Sequence, residues 1–417
     1  MNNRMPVRMV RIAMPGACAA MLCVITAGCS PREASYQFEV TPRVLAATPG
    51  SSARDPRVVI DPVSSATVYV SNVEARESAT ALQFRISEDG GDTFEAPLTL
   101  STPTAPVSSH GEDAPLLIHG GPLYSIWDGN GVYLARSLTW GESFEAPVRV
   151  SDGGPNTFSG YPSLAVAGST AYAVWLDNRE QGLQGDSFSI RMARSNDGGA
   201  TFGPSVRLAL DVCPCCRPNV SIGPGGEVMV FWRKIFPGPI HDMVVATSHD
   251  RGRTFGAPVR IAEDNWMVDG CPDSGVAVAR VGSRMFAAWL TEASSKPHGV
   301  WLSWSDDAGA HWAPSVLASQ QVLDANYPSM CATSEGRALL VFQGRNPAAG
   351  NGWSALGAFL VEIGPRGAVS KPMAVPNQGK SATRPTVASG SGGRAFIAWT
   401  SSGQGSSLVM LERARRR

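Results

Sequence analysis

The sequence predicts an all-β protein folded as a β-propeller, and three observations support this prediction. A turn-forming octet recurs five times, starting at Ser87, Ser137, Ser195, Ser248 and Ser305. The copies lie roughly 50 to 60 residues apart and are flanked by short apolar runs, which is the pattern of a propeller or solenoid array. Glycine and proline are abundant, with 44 and 31 residues, as a fold with many turns requires.

The octet is clearest in the copy SNDGGATF, which runs from Ser195 to Phe202. An aspartate at its third position can accept hydrogen bonds from the amides of the turn, and a glycine at its fifth position permits a positive φ. Four copies keep the aspartate, as Asp89, Asp197, Asp250 and Asp307. Thr139 replaces it in the second copy. We therefore predict that these aspartates stabilise turns without taking part in chemistry, and that the second turn is weaker.

The octets resemble the Asp-box, also called the bacterial neuraminidase (BNR) repeat, of sialidase-like β-propellers. The resemblance extends over nearly the whole chain after its N-terminus, through four full copies and one degraded copy. It implies a fold more strongly than a reaction, because unrelated functions recur on one fold.

Each octet belongs to a repeat unit of four short strands, A to D, and lies between strands C and D. The units begin at or near Pro56, Pro115, Pro162, Pro218, Ser274, Pro328 and Pro385. The last unit lacks a strand D, and the segment Tyr36–Leu45 is expected to supply it and to close the ring, which removes exposed sheet edges. We therefore predict one propeller domain over residues 36–412 with seven four-stranded blades. The alternative is six blades with one extra hairpin, because the sialidase resemblance implies six.

The first 28 residues predict a bacterial lipoprotein signal peptide, because an arginine-containing start precedes an apolar stretch. The stretch ends in Thr26-Ala27-Gly28-Cys29, which resembles a lipobox and implies that Cys29 is lipidated after cleavage. Residues 29–35 would then tether the propeller to a membrane, and Ser30 after the cysteine implies sorting to the outer membrane. The alternative is ordinary cleavage near Ala27, which would give a periplasmic or secreted protein.

The charge balance restricts the partners of the protein. The chain has 35 Lys and Arg against 35 Asp and Glu, so its formal net charge is zero. Nothing therefore attracts it to nucleic acid, and we expect no nucleic-acid partner and a monomer. The closing residues 413–417 are expected to form a solvated basic tail.

Strand parity brings the candidate ligand-binding residues to one face. In antiparallel blades the D–A and B–C connections share one end of the blades, and the octets lie at the other. Seven residues that precede strands A define what we call the mouth: Asp55, Asp113, Tyr161, Arg217, Asp273, Tyr327 and Arg384. The B–C connections add Asp128, Glu292 and Arg345. Because propellers commonly bind ligands at one end of the central channel, we predict a ligand site at the mouth.

The sialidase resemblance implies catalytic roles for some of these residues. Sialidases use a tyrosine nucleophile with a glutamate partner and an aspartate acid/base. The corresponding residues here would be Tyr327, Glu292 and Asp55, with Asp113 and Asp128 as competing candidates for the acid/base. Tyrosine as the nucleophile is a known exception to the two-carboxylate rule for glycosidases.

The same resemblance implies three arginines that hold the substrate carboxylate, because a guanidinium matches a carboxylate bidentately. The candidates are Arg217, Arg384 and Arg345. Tyr161, Asp113 and Asp273 would complete the ligand site. The Arg-Ile-Pro signature of the family is absent, and Asp55-Pro56-Arg57 stands in its place.

Four of the five cysteines after Cys29 are expected at the mouth. Cys213, Cys215 and Cys216 precede the fourth unit, and Cys271 precedes the fifth. In an oxidising envelope the simplest interpretation is a disulfide, for example between Cys271 and one of the other three. The alternative is a soft-metal or redox site, because thiolates bind Cu(I) and Zn. The sequence specifies no cofactor beyond these two metals.

Together these features predict a lipid-anchored, envelope-facing propeller that binds a glycan, a metal or a partner protein at a cysteine-bearing mouth. The first alternative is an exo-acting sialidase-type glycoside hydrolase with Tyr327 as its nucleophile. The second alternative is a scaffold that docks an envelope protein during assembly of an envelope or metalloprotein complex.

Overall fold

The chain folds almost entirely into β-strands. The computed structural model describes residues 36–39, 42–45, 50–108, 111–180, 188–268, 270–347, 355–402 and 407–417. Within these ranges no helix is long and apolar enough to cross a membrane. The predicted signal peptide, Cys29 and the tether 29–35 lie outside the described residues, so the lipid anchor stays a prediction.

The strands of the first half follow the predicted unit order. Two short strands come first, β1 (Tyr36–Phe38) and β2 (Arg43–Leu45). The first unit has β3 (Ser52–Ile60), β4 (Val68–Arg76), β5 (Ala79–Ser87) and β6 (Leu98–Thr99). The second has β7 (Leu116–His119), β8 (Leu123–Asp128), β9 (Val132–Ser137) and β10 (Val148–Arg149). The third has β11 (Ser159–Ala167), β12 (Thr170–Asp177), β13 (Phe188–Ser195) and β14 (Val206–Val212).

The second half repeats this order. The fourth unit has β15 (Asn219–Ile222), β16 (Val228–Phe236), β17 (Ile240–Ser248) and β18 (Val259–Arg260). The fifth has β19 (Ala277–Val281), β20 (Arg284–Thr291), β21 (Gly299–Ser305) and β22 (Val316–Leu317). The sixth has β23 (Leu323–Ala332), β24 (Ala338–Arg345), β25 (Gly357–Ile363) and β26 (Met373–Ala374). The seventh has β27 (Thr383–Ser389), β28 (Arg394–Ser402) and β29 (Ser407–Arg416). Short 3-10 turns span Gly111–Asp113 and Ser391–Gly393.

Hydrogen bonding groups the described strands into six sheets. Five have the form of single blades: β3–β6, β7–β10, β19–β22, β23–β26, and β27–β29 with β1 and β2. The third and fourth units instead share one eight-stranded sheet, β11–β18, in which Val212 of β14 pairs with Lys234 of β16. The predicted all-β propeller is therefore confirmed, but seven separate blades are not.

The N-terminal segment lies where the sequence predicts it, beside the last strand of the chain. Both β1 and β2 pair with β29, and Tyr36 lies opposite Arg416. The predicted solvated tail is wrong, because β29 continues to Arg416. Arg413 also forms ion pairs with Glu39 and Asp92. Strand pairing holds residues 413–416 in the sheet, and ion pairs fix the Arg413 side chain.

Apolar contacts between neighbouring sheets form the core. Phe286 and Leu302 of the fifth unit, for example, belong to one cluster with Leu340 and Phe342 of the sixth. Five tryptophans of the second strands are almost fully buried: Trp127, Trp175, Trp232, Trp289 and Trp399. Their large rings fill the space within and between the blades, as their regular recurrence in the sequence predicts.

Each octet forms a turn closed by its own side chains. In the third copy, Asp197 accepts hydrogen bonds from the hydroxyl and the amide of Thr201 at 2.5 and 2.9 Å. The Ser195 hydroxyl donates to Asp197 and accepts from the Gly199 amide. The bonds from Thr201 and Ser195 lower the pKa of Asp197 well below its usual range. Equivalent aspartates make equivalent bonds in three other copies: Asp89, Asp250 and Asp307.

The glycine at the fifth octet position packs against the preceding unit. Gly141 has a φ of 97°, and a Cβ there would lie 2.9 Å from Phe84 and Ile86 of the first unit. The octet therefore needs glycine both for its backbone conformation and for the contact between blades. In this same copy the Thr139 hydroxyl accepts from the Ser143 amide at 3.0 Å, so a hydroxyl takes the place of the aspartate.

Candidate functional site

The mouth is built by a repeated distortion in the first strands of the blades. Asp55, Tyr161, Tyr327 and Arg384 have positive φ angles between 50° and 56°. The pairing register shifts at each of these positions, so β3, β11, β23 and β27 each carry a β-bulge there. Asp273, before β19, also has a positive φ of 43°. Bulges re-aim side chains out of the normal alternation of a strand.

This conformation is unfavourable for residues that have a side chain. A non-glycine residue in such a region costs on the order of 1–3 kcal/mol, and residues of this kind concentrate at functional sites. A proline follows each of the four bulge residues, as in Tyr327-Pro328. Five of the predicted mouth residues therefore share a backbone feature that the sequence analysis did not predict.

Four of the predicted residues form one linked cluster. The Tyr327 hydroxyl donates to Asp273 Oδ2 at 2.7 Å. The Arg384 guanidinium lies 6.0 Å from the centroid of the Tyr327 ring and pairs with Asp55 at 2.5 Å. Burial and the neighbouring Asp273 raise the pKa of Tyr327 above its usual value. The cluster therefore holds a protonated phenol between an acid and a cation.

A cavity of about 520 Å³ follows the first strands around the centre of the ring. Its polar lining includes Tyr327, Arg384, Arg57, Glu112 and Arg217. Apolar side chains from β3, β19 and β27 line much of the rest. A volume of this size is typical of pockets that bind small molecules.

Arg217 lines the cavity, but backbone carbonyls already use its donors. Its guanidinium donates to the carbonyl of Pro162 at 2.5 Å and to the carbonyls of Glu112 and Ala114. Burial lowers its pKa. This geometry favours a structural role, in which Arg217 ties the second and third units to the fourth, over the predicted contact with a ligand.

Arg57 is a cavity residue that the sequence analysis did not assign. Its Nη1 donates to the Pro56 carbonyl at 3.4 Å, and its buried Nε has no hydrogen-bond partner among the described residues. Burial and the nearby Arg217 lower the pKa of Arg57 to about 10. The sequence signal for Arg57 was its place in the run Asp55-Pro56-Arg57, directly before the first predicted strand.

Three acids lie close to Arg217. Burial raises the pKa of Glu112 to about 7, although Arg217 opposes this effect. Burial and the charge of Asp113 raise the pKa of Asp128 well above its usual value. Asp113 and Asp128 are almost completely buried, and neither lines the cavity. Glu112 lines the cavity, and a carboxyl with a pKa near 7 can donate or accept a proton at neutral pH.

Three other predicted residues lie away from the central cluster. The structure corrects the partner of Tyr327, because its hydroxyl bonds Asp273 while Glu292 is exposed directly after β20. Arg345 pairs with Asp324 at 2.8 Å, which holds it outside the cavity lining. Tyr161 packs against Phe158 with ring centroids 6.2 Å apart, so its ring takes part in an aromatic contact at the mouth.

The cysteine cluster borders the mouth. Cys215 and Cys271 form a disulfide, which confirms the predicted bridge between Cys271 and the run that starts at Cys213. The Asp273 amide donates to Cys215 Sγ at 3.4 Å. Cys213 and Cys216 are free and buried. The Sγ atoms of these two and of Cys215 lie within 4.8 Å of one another, a spacing that suits a soft metal ion only if Cys215 is released from its disulfide.

Comparison with known proteins supports the fold. No protein-family model and no curated protein sequence matches the chain. A protein of unknown function from Dyadobacter fermentans is similar in structure, with 14% identity and a TM-score of 0.54, over 92% of this chain and 100% of that one. An ulvan lyase from a new polysaccharide lyase family, bound to GlcA(1-4)Rha3S, has 12% identity and a TM-score of 0.50, over 73% and 80%. A Hadza microbial sialidase has 14% identity and a TM-score of 0.48, over 84% and 76%.

Proposed function

We propose that the mouth binds a carboxylate-bearing sugar of a glycan in the 520 Å³ cavity. The observation that carries the proposal is Arg57, whose buried Nε has no hydrogen-bond partner among the described residues. Its removal from water is unfavourable, since burial lowers its pKa to about 10. An anion in the cavity would stabilise the charged Arg57 guanidinium that lines it, and a carboxylate matches guanidinium geometry well.

Arg384 supplies a second cation for the same ligand. Its guanidinium lines the cavity, and Asp55 fixes its position through the ion pair at 2.5 Å. The apolar walls of the cavity suit the carbon face of a sugar ring. The ulvan lyase of similar fold was solved with GlcA(1-4)Rha3S, which contains an acidic sugar, and this supports the choice of ligand class.

Calorimetric titration tests this proposal. Sialic acid, glucuronic acid and galacturonic acid, as monosaccharides and as short oligosaccharides, are compared with glucose and galactose. We expect at least one acidic sugar to bind and the neutral sugars not to bind, because a carboxylate forms charge-assisted hydrogen bonds with guanidinium groups and a neutral hydroxyl does not. If the folded protein binds none of the acidic sugars, the proposal fails, and a scaffold that docks an envelope protein becomes the better interpretation.

A second candidate function is sialidase-type hydrolysis, which the hydrogen bond from Tyr327 to Asp273 favours. The Tyr327 oxygen would attack the anomeric carbon while its proton passes to Asp273, and an acid would protonate the leaving group. Water would then hydrolyse the glycosyl–tyrosine bond, giving its hydroxyl to the sugar and its proton to the acid that protonated the leaving group, while Asp273 returns its proton to Tyr327. Glu112 lines the same cavity, and its pKa of about 7 suits the proton donor.

Cleavage of a fluorogenic sialoside tests the hydrolase candidate. Tyr327→Phe should remove nearly all turnover, because the nucleophilic oxygen is lost. Tyr172→Phe is the matched control, since the Tyr172 hydroxyl donates to the Arg251 carbonyl in the fourth octet. If the wild-type protein cleaves no sialoside, hydrolysis is excluded for this substrate while the binding proposal is still tested by calorimetry.

We also propose that a lipid on Cys29 anchors the protein in the outer membrane of a bacterial envelope. The propeller would then project from the membrane surface that holds the lipid. The lipobox-like run Thr26-Ala27-Gly28-Cys29 supports this proposal. Metabolic labelling with palmitate should mark the wild-type protein and not Cys29→Ala, because lipid attachment needs that thiol. Label on the variant, or none on the wild type, would contradict the anchor.

We infer further that the eight-stranded sheet acts as two blades, so that the ring has seven. Strands β11–β14 and β15–β18 each repeat the order A to D, and β14 and β16 are joined through the pair Val212 and Lys234. An experimental structure with seven four-stranded units around one axis is the expected result. A ring of five or six units would overturn the count.

A further inference from the structure

The cysteine cluster holds two thiols and a disulfide close together. The run Cys213-Pro214-Cys215-Cys216 follows β14, and its three cysteines are buried. The Sγ atom of Cys213 lies 3.3 Å from that of Cys216 and 3.7 Å from that of Cys215. Cys215 is bonded to Cys271, which is exposed. The buried thiol pair is therefore connected to solvent through one disulfide.

Arg233 sets the charge of this cluster. It is 1% exposed, and its guanidinium donates to the carbonyls of Ser274 and Leu290 at 3.2 and 2.9 Å. The hydrogen bond with Cys216 and the charge of Arg233 lower the pKa of Cys213 to about 7, although burial opposes them. Burial raises the pKa of Cys216. Cys213 is therefore the nucleophilic thiolate, and Cys216 is its protonated neighbour.

We propose that these four cysteines form a thiol–disulfide exchange centre that reduces low-molecular-weight disulfides at Cys271 and stores the oxidation as a Cys213–Cys216 disulfide. The proposal goes beyond glycan binding and requires no ligand in the cavity. It rests on the separations between the sulfur atoms and on the contrast between exposed Cys271 and the buried pair. The C-x-x-C spacing of Cys213 and Cys216 suits a redox disulfide.

The first stage takes place within the protein and consumes no external reagent. The Cys213 thiolate attacks Cys215 Sγ, the bond to Cys271 breaks, and Cys271 leaves as an exposed thiolate. Cys216 then attacks Cys213 Sγ and releases Cys215 as a thiolate, while the Cys216 proton is taken up by Cys271 through solvent. The Asp273 amide, 3.4 Å from Cys215 Sγ, stabilises that leaving thiolate.

The second stage transfers the oxidation from the external disulfide. Cys271 gives up its proton to solvent, its thiolate attacks one sulfur of that disulfide, and the first external sulfur leaves and takes up the proton as a thiol. Cys215 attacks the Cys271 sulfur of the mixed disulfide, and the second external thiol leaves. In total one external disulfide becomes two thiols, while Cys213 and Cys216 pass from two thiols to one disulfide.

Oxidised glutathione is the probe for the test, used on the mature protein without oxygen. Samples are quenched with acid, alkylated and mapped by mass spectrometry. We expect each chain to consume one glutathione disulfide and to gain the Cys213–Cys216 bond. Cys271→Ser should slow formation of that bond by about tenfold or more, because the exposed point of attack is lost. Cys331→Ser, which removes the free cysteine of β23, is the matched control and should behave as the wild type.

A second measurement needs no variant. A short alkylation pulse on the wild-type protein, with neither oxidant nor reductant present, should label Cys271 only in molecules that carry the Cys213–Cys216 disulfide. Two results would overturn the proposal. In one, Cys213 and Cys216 stay free after prolonged exposure to oxidised glutathione. In the other, native mass spectrometry finds zinc or Cu(I) on these thiols, which would make the cluster a metal site.

Discussion

The octet turns and the mouth use one backbone conformation for opposite purposes. In the octets a positive φ falls on the glycine of the fifth position, with 97° at Gly141 and 85° at Gly199, and in three copies also on the fourth residue: Trp140, Arg251 and Ala308. At the mouth it falls on Tyr327 and Arg384, with 52° and 50°. In the octets this conformation lies in turns between strands, whereas at the mouth it lies at β-bulges within strands, and the side chains of Tyr327 and Arg384 there line the cavity. The contrast teaches that a positive φ marks the candidate functional face only where it coincides with a β-bulge inside a first strand.

The carboxyl groups of the two regions differ in a related way. Asp197 accepts hydrogen bonds from within its own octet, and its pKa is lowered. Glu112 and Asp128 at the mouth are removed from water, and burial raises their pKa values. Ionised acids therefore stabilise the octets and destabilise the mouth. The stability of the protein should respond to pH with opposite sign in the two regions.

The largest expected effect concerns Glu112. Its pKa is about 7 in the folded protein against an ordinary 4.5, so the folded state binds more protons between these values and stability falls as pH rises through them. The full penalty above pH 7 is about 3 kcal/mol. Glu112→Gln should remove it, so the unfolding free energy in urea should change less from pH 5 to pH 8 than in the wild type. If the unfolding free energies of the wild type and of Glu112→Gln change equally with pH, burial does not destabilise the Glu112 carboxylate.

The next effect is on ligand affinity. Arg57→Met should weaken binding of an acidic sugar by about tenfold to a hundredfold, because a charge-assisted hydrogen bond is lost. Stability should be kept, since the removed charge is one that burial disfavours. Arg136→Met is the matched control, because Arg136 donates to the Asp197 carbonyl at 2.8 Å in the third octet. Arg136→Met should lower the melting temperature and leave the affinity for an acidic sugar unchanged. If Arg136→Met instead lowers the affinity and keeps the melting temperature, the assignment of octets and mouth to opposite faces is wrong.

A smaller effect is expected for the octet glycines. Gly141→Ala should destabilise the protein by about 2 kcal/mol, because the new Cβ would meet Phe84 and Ile86 at 2.9 Å and needs a positive φ. Gly168→Ala is the control, since Gly168 has a φ of 57° and no atom within 4 Å of an added Cβ. Denaturant unfolding should show the larger loss for Gly141→Ala. Equal losses would mean that the contact between blades contributes nothing.

The smallest effect should come from a single octet carboxylate. Since the pKa of Asp197 is lowered, its contribution is present above the ordinary 3.8 and is lost as pH falls. Asp197→Asn should therefore lower the melting temperature at pH 7 and approach the wild type in acid. Affinity for an acidic sugar should not change, because the octet and the mouth lie at opposite ends of the blades. A variant that loses affinity at full stability would refute this assignment.

The sequence by itself determined the features whose interactions are local. The hydrogen bonds within an octet join residues no more than four apart, such as Asp197 and Thr201. The eight residues of the octet therefore contain every partner that closes the turn. Repeat spacing and strand parity predicted the order of the strands. The sequence pattern of Tyr36–Leu45 predicted the pairing of the N-terminal segment with β29. These features depend on side-chain type and on short-range geometry, both of which can be read along the chain.

Only the tertiary structure decided which side chains meet at the mouth. Tyr327 bonds Asp273, 54 positions away, instead of Glu292, and Arg384 pairs with Asp55, 329 positions away. Such contacts depend on bulges that shift the alternation of inner strands, and strand parity alone does not contain those shifts. The same holds for the sheet shared by two units and for the choice of Cys215 as the partner of Cys271. Each follows from the distance between atoms on separate strands or loops, which the folded chain sets and the linear sequence does not.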